Sequence, residues 1–178
     1  MDRVMVFIDG SNLYHILKSI YGESKELNAF DFNKFIQIIL KNRKLIRTYY
    51  YNAILDQKKD HKKYSKQQKF FEKLKLIPDF QVVLCRMQKD FVDGKTSYSV
   101  KEDDIYIATD MIKLAYANAY DVAILVSTDG DFVPAVKAVK ETGKKVENVG
   151  FEKKFSWHLK QTCDRFLILS KRDLDRCF

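Results

Sequence analysis

The sequence predicts an α/β domain of three layers, in which helices cover both faces of a mainly parallel sheet. Short apolar runs rich in β-branched residues, such as residues 4–8 and 121–126, are typical of strands buried on both faces. Segments with helical spacing of apolar residues follow these runs. Strands that alternate with helices in this way favour a parallel sheet between two helical layers. The length of 178 residues fits one domain over residues 1–178.

The first half of the chain contains three predicted strands, at residues 4–8, 45–55 and 80–85. A helix over residues 13–20 follows the first strand, where Gly10 permits a sharp turn. A second helix, residues 31–40, carries apolar residues on one side. The second strand contains three consecutive tyrosines, residues 49–51, and packing rather than stacking on bases is the preferred role for at least two of them.

The second half of the chain repeats this alternation. Residues 88–99 are polar and are predicted to form an exposed loop or hairpin, and a helix follows from about residue 101. Strands are predicted at residues 121–126, 144–150 and 165–169. Helices are predicted at residues 132–142 and 156–162, and the tail from residue 170 is polar.

Composition favours a polyanionic partner and excludes several classes of protein. The net charge of +8 is typical of proteins that bind nucleic acid. No apolar run approaches the ~18 residues of a membrane span, so no membrane partner is expected. Cys85, Cys163 and Cys177 are far apart, which disfavours a zinc site or a disulfide framework and favours a cytoplasmic location. Gly-rich phosphate loops are absent from the sequence, which argues against a nucleotide-cofactor enzyme.

Carboxylates follow two of the predicted buried strands. Asp9 ends the first strand, and Asp129 and Asp131 follow the strand at residues 121–126. Ligands bind outside the carboxyl ends of strands in open α/β sheets. Helix capping explains one aspartate at each position, whereas a divalent-cation site explains all three, because hard cations prefer clustered carboxylate oxygens.

The helix that begins near residue 101 carries further acidic residues. Helical steps from Asp104 reach Ala108, Met111 and Ala115, so we expect Asp104 to continue the inward-facing side of this helix. An inward-facing carboxylate costs several kcal/mol unless it is paired or bound to a metal. Asp103 fits capping better, and Asp110 lies too far along the helix to cap it.

Three motifs together resemble the NYN family of PIN-like, metal-dependent ribonucleases. They are FIDGSN (residues 7–12), K-x-x-D with DM (101–104 and 110–111) and STDGDF followed by GK (127–132 and 143–144). The resemblance covers residues 4–169 and implies a PIN-like fold. It implies a catalytic, metal-binding set that consists of Asp9, Asp104, Asp129 and Asp131. The supporting residues that we assign from these motifs and from the turn after Asp9 are Ser11, Asn12, Lys101, Asp110 and Ser127. Whether Asp103 or Asp104 faces the metal stays open.

A strongly basic segment, residues 58–75, lies outside these motifs. A solvated helix face explains it, and so does a surface that contacts phosphates. On the second interpretation the residues that contact RNA are Lys62, Lys63, Lys66, Lys69 and Arg86.

The resulting prediction is an endoribonuclease in which Mg²⁺ or Mn²⁺, held by clustered aspartates, activates a water that attacks an RNA phosphodiester. The alternative is an RNA-binding regulatory module with a weak or inactive pocket. The sequence leaves the RNA target and the oligomeric state open, a homo-oligomer included.

Overall fold

A computed structural model describes residues 1–92, 95–100 and 102–178, with the backbone alone for residues 87–92 and 95–100. The strands of the described residues are β1 (Arg3–Asp9), β2 (Lys44–Ala53), β3 (Phe80–Cys85), β4 (Met87–Val92), β5 (Lys95–Val100), β6 (Val122–Val126), β7 (Lys145–Phe151) and β8 (Arg165–Leu169). The helices are α1 (Gly10–Tyr21), α2 (Phe32–Leu40), α3 (His61–Lys75), α4 (Asp103–Tyr116), α5 (Val133–Glu141), α6 (Trp157–Thr162) and α7 (Lys171–Asp175).

Six of these strands form one parallel sheet in the order β3-β2-β1-β6-β7-β8. The chain moves outward from β1 to β3, returns to β6 beside β1, and then moves outward on the other side. The gap between the carboxyl ends of β1 and β6 is therefore the topological switch point, where open α/β sheets bind ligands. The two strand ends that carry the predicted aspartates are neighbours at this point.

Helices cover both faces of the sheet, as the sequence predicts. One apolar core lies under α1, α2, α3 and α7 and includes Phe35 and Phe71. A second core lies under α4, α5 and α6 and includes Met111 and Leu159. The strands between the cores are buried on both faces, since successive side chains of a strand point to opposite sides. This arrangement confirms the three-layer α/β fold. Among the described residues, no helix has both the length and the apolar character needed to cross a membrane.

Individual predictions meet different outcomes. Of residues 88–99, those at 88–92 and 95–99 belong to β4 and β5, which pair antiparallel apart from the main sheet, and the remaining two lie outside the described residues. The three tyrosines of β2 are all buried, which confirms packing as their role.

The tail from residue 170, which the sequence predicts only to be polar, contains the helix α7. Ser170 and Asp173 form a capping box at its start, and Leu174 is buried. One buried leucine in five residues gives no periodic signal, so the sequence pattern misses this helix.

Gly10 is required for a different reason from the one that the sequence suggests. Its φ angle is not positive, and Gly10 is the first residue of α1. A Cβ built on Gly10 would lie 2.5 Å from the ring carbon Cζ of Tyr50 and 2.5 Å from the carbonyl oxygen of Tyr51. The glycine therefore lets the start of α1 pack directly on β2, which places Asp9 at the edge of the sheet.

Candidate metal-binding and nuclease site

Asp9 lies at the carboxyl end of β1 and is buried, with 4% of its surface exposed. One carboxylate oxygen accepts a hydrogen bond of 2.9 Å from the backbone N–H of Asn12 and so caps α1. The other accepts a hydrogen bond of 3.0 Å from the hydroxyl of Ser127. Capping and the proposed metal site are therefore compatible at this residue, and two elements fix the orientation of the carboxylate.

The segment after β6, residues 127–131, is called the acidic loop below. The hydroxyl of Ser127 accepts a hydrogen bond of 3.2 Å from the backbone N–H of Asp129. The Asp129 carboxylate accepts one of 2.9 Å from the backbone N–H of Asp131, which caps a short 3₁₀ helix. Asp129 is half-buried and Asp131 is exposed. Ser127 thus links the acidic loop to Asp9.

Asn12 holds the acidic loop from the side of α1. Its side-chain amide donates a hydrogen bond of 3.2 Å to the hydroxyl of Thr128, and its side-chain oxygen accepts one of 3.2 Å from the backbone N–H of Thr128. The sequence suggests that Asn12 or Ser11 contacts a ligand. The structure shows Asn12 engaged with the loop, and Ser11 half-buried in the first turn of α1.

The first turn of α4 brings two more carboxylates to the same region. The buried side of this helix runs through Asp103, Ile107, Met111 and Ala115, and Asp103 is 4% exposed. Met111 and Ala115 are buried as expected, but the buried side continues to the first turn through Ile107 and Asp103, so the expectation that it continues through Asp104 is wrong. Asp104 lies on the adjoining, half-buried side.

Five carboxylates from three elements lie in this region, and their charges act on the pKa values of three of them, Asp9, Asp103 and Asp104. The pKa of Asp9 is raised to about 7, chiefly by burial, and the charges of Asp103 and Asp104 act in the same direction. Burial raises the pKa of Asp104 to about 6, with the charges of Asp103, Asp129 and Asp131 acting in the same direction. Burial also raises the pKa of Asp103, and the charge of Asp129 adds to this. The acidic site, below, means Asp9, Asp103, Asp104, Asp129 and Asp131.

The acidic site is an open arrangement rather than a closed cage. Among the described residues, no three histidine, cysteine or acidic side chains lie close enough together to hold a metal ion as they stand. Mutual repulsion between the carboxylates opposes closer approach. The geometry therefore gives a concentrated negative charge at the switch point.

The raised pKa of Asp9 predicts that the stability of the metal-free protein falls as the pH rises. The folded state holds a proton on Asp9 up to about pH 7, whereas an unfolded aspartate loses it near pH 4. Between these values the folded state binds more protons, so the free energy of unfolding decreases with pH. We expect a loss of about 2 kcal/mol between pH 5.5 and pH 8 in EDTA, measured by urea unfolding. A free energy of unfolding that rises over this interval would contradict the prediction.

The remaining predicted site residues have other surroundings. The Asp110 carboxylate accepts a hydrogen bond of 3.0 Å from the hydroxyl of Tyr51 and pairs with Lys113 at 3.1 Å, which fastens α4 to β2. Lys101 lies outside the described residues. The backbone N–H of Arg86 donates a hydrogen bond of 3.0 Å to Glu102, next to the start of α4.

The predicted RNA-binding lysines lie on the exposed side of α3, whose other side packs into the core through Phe70, Phe71 and Leu74. Two of these lysines form ion pairs, Lys63 with Asp60 at 3.1 Å and Lys66 with Glu26 at 3.6 Å. Exposed pairs of this kind contribute little to stability and leave the charges accessible to solvent. Their role in RNA binding stays a prediction.

Sequence reasoning missed Asn148, a buried residue of β7. Its side-chain amide donates hydrogen bonds of 3.0 Å to the carbonyl of Leu125 and 2.9 Å to the carbonyl of Ser127. These bonds fix the start of the acidic loop from the neighbouring strand. An amide between Val146 and Val149 in a predicted strand was the available signal, because a buried amide requires hydrogen-bond partners.

A model of the NYN domain family matches residues 3–170. The chain belongs to the NYN family. An uncharacterized protein of Methanocaldococcus jannaschii is 34% identical over 79 residues, a segment that covers 44% of this chain and 33% of the relative. This NYN protein therefore matches about a third of that relative's length.

Solved structures share the fold of this NYN domain. A protein of unknown function from Vibrio parahaemolyticus superimposes with a TM-score of 0.74 and 24% identity, over 97% of this chain and 95% of the other. A flap endonuclease of bacteriophage T5, in a complex with DNA and metal ions, superimposes with a TM-score of 0.50 and 23% identity, over 89% of this chain and 59% of the other. The NYN domain thus has the fold of PIN-like nucleases, as the sequence predicts.

Proposed function

We propose that this NYN protein is an endoribonuclease that hydrolyses RNA phosphodiester bonds with the help of Mg²⁺ or Mn²⁺. The observation that carries the proposal is that the charge of Asp104 acts on Asp9 and the charge of Asp129 acts on Asp104, although the three residues come from separate elements. The charges that raise the pKa values of Asp9 and Asp104 are those of other carboxylates. Such an arrangement lowers the stability of the empty protein, and its retention in a chain of net charge +8 favours a functional role.

The donor set fits a hard divalent cation. Asp104, Asp129 and Asp131 supply carboxylate oxygens at the open side of the acidic site, and such oxygens are the ligands that Mg²⁺ and Mn²⁺ prefer. Asp9 adds a buried carboxylate whose orientation is already fixed. A cation bound here would offset the repulsion between the carboxylates, which adds to the effect of burial on their pKa values. When bound, the ion lowers the pKa of a water and offsets negative charge on the phosphate.

The side chains of the protein have distinct parts in this proposal. Asp9, Asp104, Asp129 and Asp131 hold the ion or ions. Ser127 fixes the carboxylate of Asp9, and Asn12 fixes the acidic loop through Thr128. Positioning of this kind matters because mutating the hydrogen-bond partners of metal-binding side chains commonly lowers metal affinity or activity by about 10- to 100-fold.

RNA is the proposed substrate for two reasons. The chain is basic, and its three motifs resemble those of the NYN family of ribonucleases. The exposed lysines of α3, residues 62, 63, 66 and 69, supply a surface for the phosphate backbone. The structure of the bacteriophage T5 endonuclease, which has a similar fold, contains DNA and metal ions. By structural analogy, this supports a nucleic acid as the substrate of this NYN protein.

The test is cleavage of a labelled single-stranded RNA, and of DNA of the same sequence, with Mg²⁺, Mn²⁺ or EDTA. We expect metal-dependent cutting of RNA by the wild type and a loss of at least about 100-fold in Asp129→Asn. Asparagine keeps the side-chain oxygen that caps the 3₁₀ helix, so the fold should persist.

Asp31→Asn is the matched control, because Asp31 caps α2 by the same kind of hydrogen bond, 3.1 Å from the Lys34 N–H, outside the acidic site. It should cleave like the wild type. Binding of RNA without cutting in any metal would replace the proposal with an RNA-binding module. If DNA is cut faster than RNA of the same sequence, the proposed substrate changes from RNA to DNA.

A further inference from the structure

An exposed aromatic side chain, Trp157, begins α6 and is not used by the proposed reaction. Trp157 is 61% exposed. The ring of Phe155 lies beside it with the two centroids 5.6 Å apart. The ammonium group of Lys160 lies 4.7 Å from the centroid of the indole ring. Trp157 is therefore supported by its neighbours and has a cation next to it, while much of its surface stays open to solvent.

The residues on either side of Trp157 in the chain lie next to the acidic loop. A Cβ built on Gly130, between the two aspartates of the loop, would lie 3.2 Å from the Ser156 hydroxyl and 3.8 Å from the Cδ2 atom of His158. These are the two residues that flank Trp157 in the chain. The start of α6 thus packs against the loop that carries Asp129 and Asp131.

The combination of an open indole, an adjacent ammonium group and a nearby nuclease site matches how proteins bind unpaired nucleic acid. Bases of a single strand stack on exposed aromatic rings, and neighbouring cations attract the phosphates. In a duplex, both faces of an internal base are already covered by its neighbours. A protein partner would gain from the apolar ring as well, but the net charge of +8 and the position of Lys160 favour a polyanion.

We propose that Trp157 stacks on an unpaired base of a single-stranded RNA bound at the acidic site, and that Lys160 contacts the adjacent backbone. This inference rests on the proposed function, since it assigns a substrate class and a binding residue to the same site. Trp157 is a binding residue that sets the preference for single strands, and it has no part in the chemistry.

The protein contains one tryptophan, so its fluorescence reports on this residue alone. The probe is an oligouridylate of about 12 nucleotides, added in EDTA so that no cleavage occurs. We expect the strand to quench the emission of Trp157. A perfectly paired RNA duplex and a sugar-phosphate strand without bases should quench it much less.

Binding of the labelled oligouridylate, measured by anisotropy, should weaken about tenfold in Trp157→Ala and much less in Trp157→Phe. Tyr116→Ala is the matched control. Tyr116 is an aromatic residue that is 73% exposed, and it lies at the C-terminal end of α4, away from the first turn that carries Asp103 and Asp104. It should bind like the wild type.

Equal quenching by the strand without bases, or unchanged affinity in Trp157→Ala, would overturn the inference. So would self-association of the wild type that Trp157→Ala abolishes while RNA affinity stays the same, because the surface would then bind a second copy. The assay contains no metal and measures no cleavage. If the nuclease proposal fails, the cleavage test shows no cutting while Trp157 is still quenched by the single strand. If the stacking proposal fails, the quenching or affinity result changes while cleavage is still observed.

Discussion

Replacing Asp9 with asparagine is expected to abolish RNA cleavage and to stabilise the metal-free protein at the same time. Asparagine keeps an oxygen that can cap α1 and an amide that can pair with Ser127. It removes the buried charge whose pKa is raised to about 7. Cleavage should fall by at least about 100-fold, because a carboxylate proposed to bind the metal is lost.

The gain in stability follows from the same pKa. At pH 8 the wild type must keep Asp9 ionised in a buried position, and the variant does not. We expect the excess of the free energy of unfolding of Asp9→Asn over that of the wild type to be about 2 kcal/mol larger at pH 8 than at pH 5.5 in EDTA. The wild type loses this amount over the interval because Asp9 ionises in the folded state, whereas asparagine does not titrate.

Asp31→Asn controls for the substitution itself, since it changes a helix cap outside the acidic site and should alter neither property much. Urea unfolding at the two pH values and cleavage with Mn²⁺ are the measurements. An Asp9→Asn protein that cuts RNA like the wild type would show that Asp9 is only a cap. A variant that is less stable than the wild type at pH 8 would show that the charge of Asp9 is compensated.

Gly10→Ala is expected to have the largest effect on stability. The added methyl group would lie 2.5 Å from the Tyr51 carbonyl oxygen and 2.5 Å from the Tyr50 ring, well inside van der Waals contact. The carbonyl belongs to β2, which pairs with β1 and β3, so it cannot move without disturbing the sheet. We expect a loss of about 3 kcal/mol or more in the free energy of unfolding.

Gly130→Ala is the matched control for this prediction. Its methyl group would lie 3.2 Å from the Ser156 hydroxyl, a side-chain atom that can move by a few tenths of an ångström. The loss of stability should therefore be clearly smaller than in Gly10→Ala. Similar losses in the two variants, measured by urea unfolding, would contradict the role assigned to Gly10.

The strands that build the sheet could be predicted because each is a short run of apolar residues that must be buried. The aspartates at the ends of β1 and β6 could be predicted as neighbours for the same reason, since carboxyl ends of parallel strands lie at one edge of the sheet. These features depend on composition and order along the chain, which the sequence contains in full.

The first turn of α4 could not be assigned in this way. Adjacent helical residues differ by about 100° in direction. Helical steps lead to Met111 both from Asp103, through Ile107, and from Asp104, through Ala108, so the sequence alone does not distinguish them. Packing against the sheet decided that Asp103 is buried with Ile107 and Met111. The same is true of Asn148, whose two carbonyl partners belong to β6 and to the acidic loop that follows it.

The sequence by itself determined the α/β class, the strands and the acidic residues at their ends, because burial and chain order act locally. Only the tertiary structure decided which α4 carboxylate is buried, why position 10 must be glycine, and that the residues on either side of Trp157 lie beside the acidic loop. Each of these depends on the distance between segments that are far apart in the chain. Such distances follow from how helices pack on the sheet, and no local pattern of residues records them.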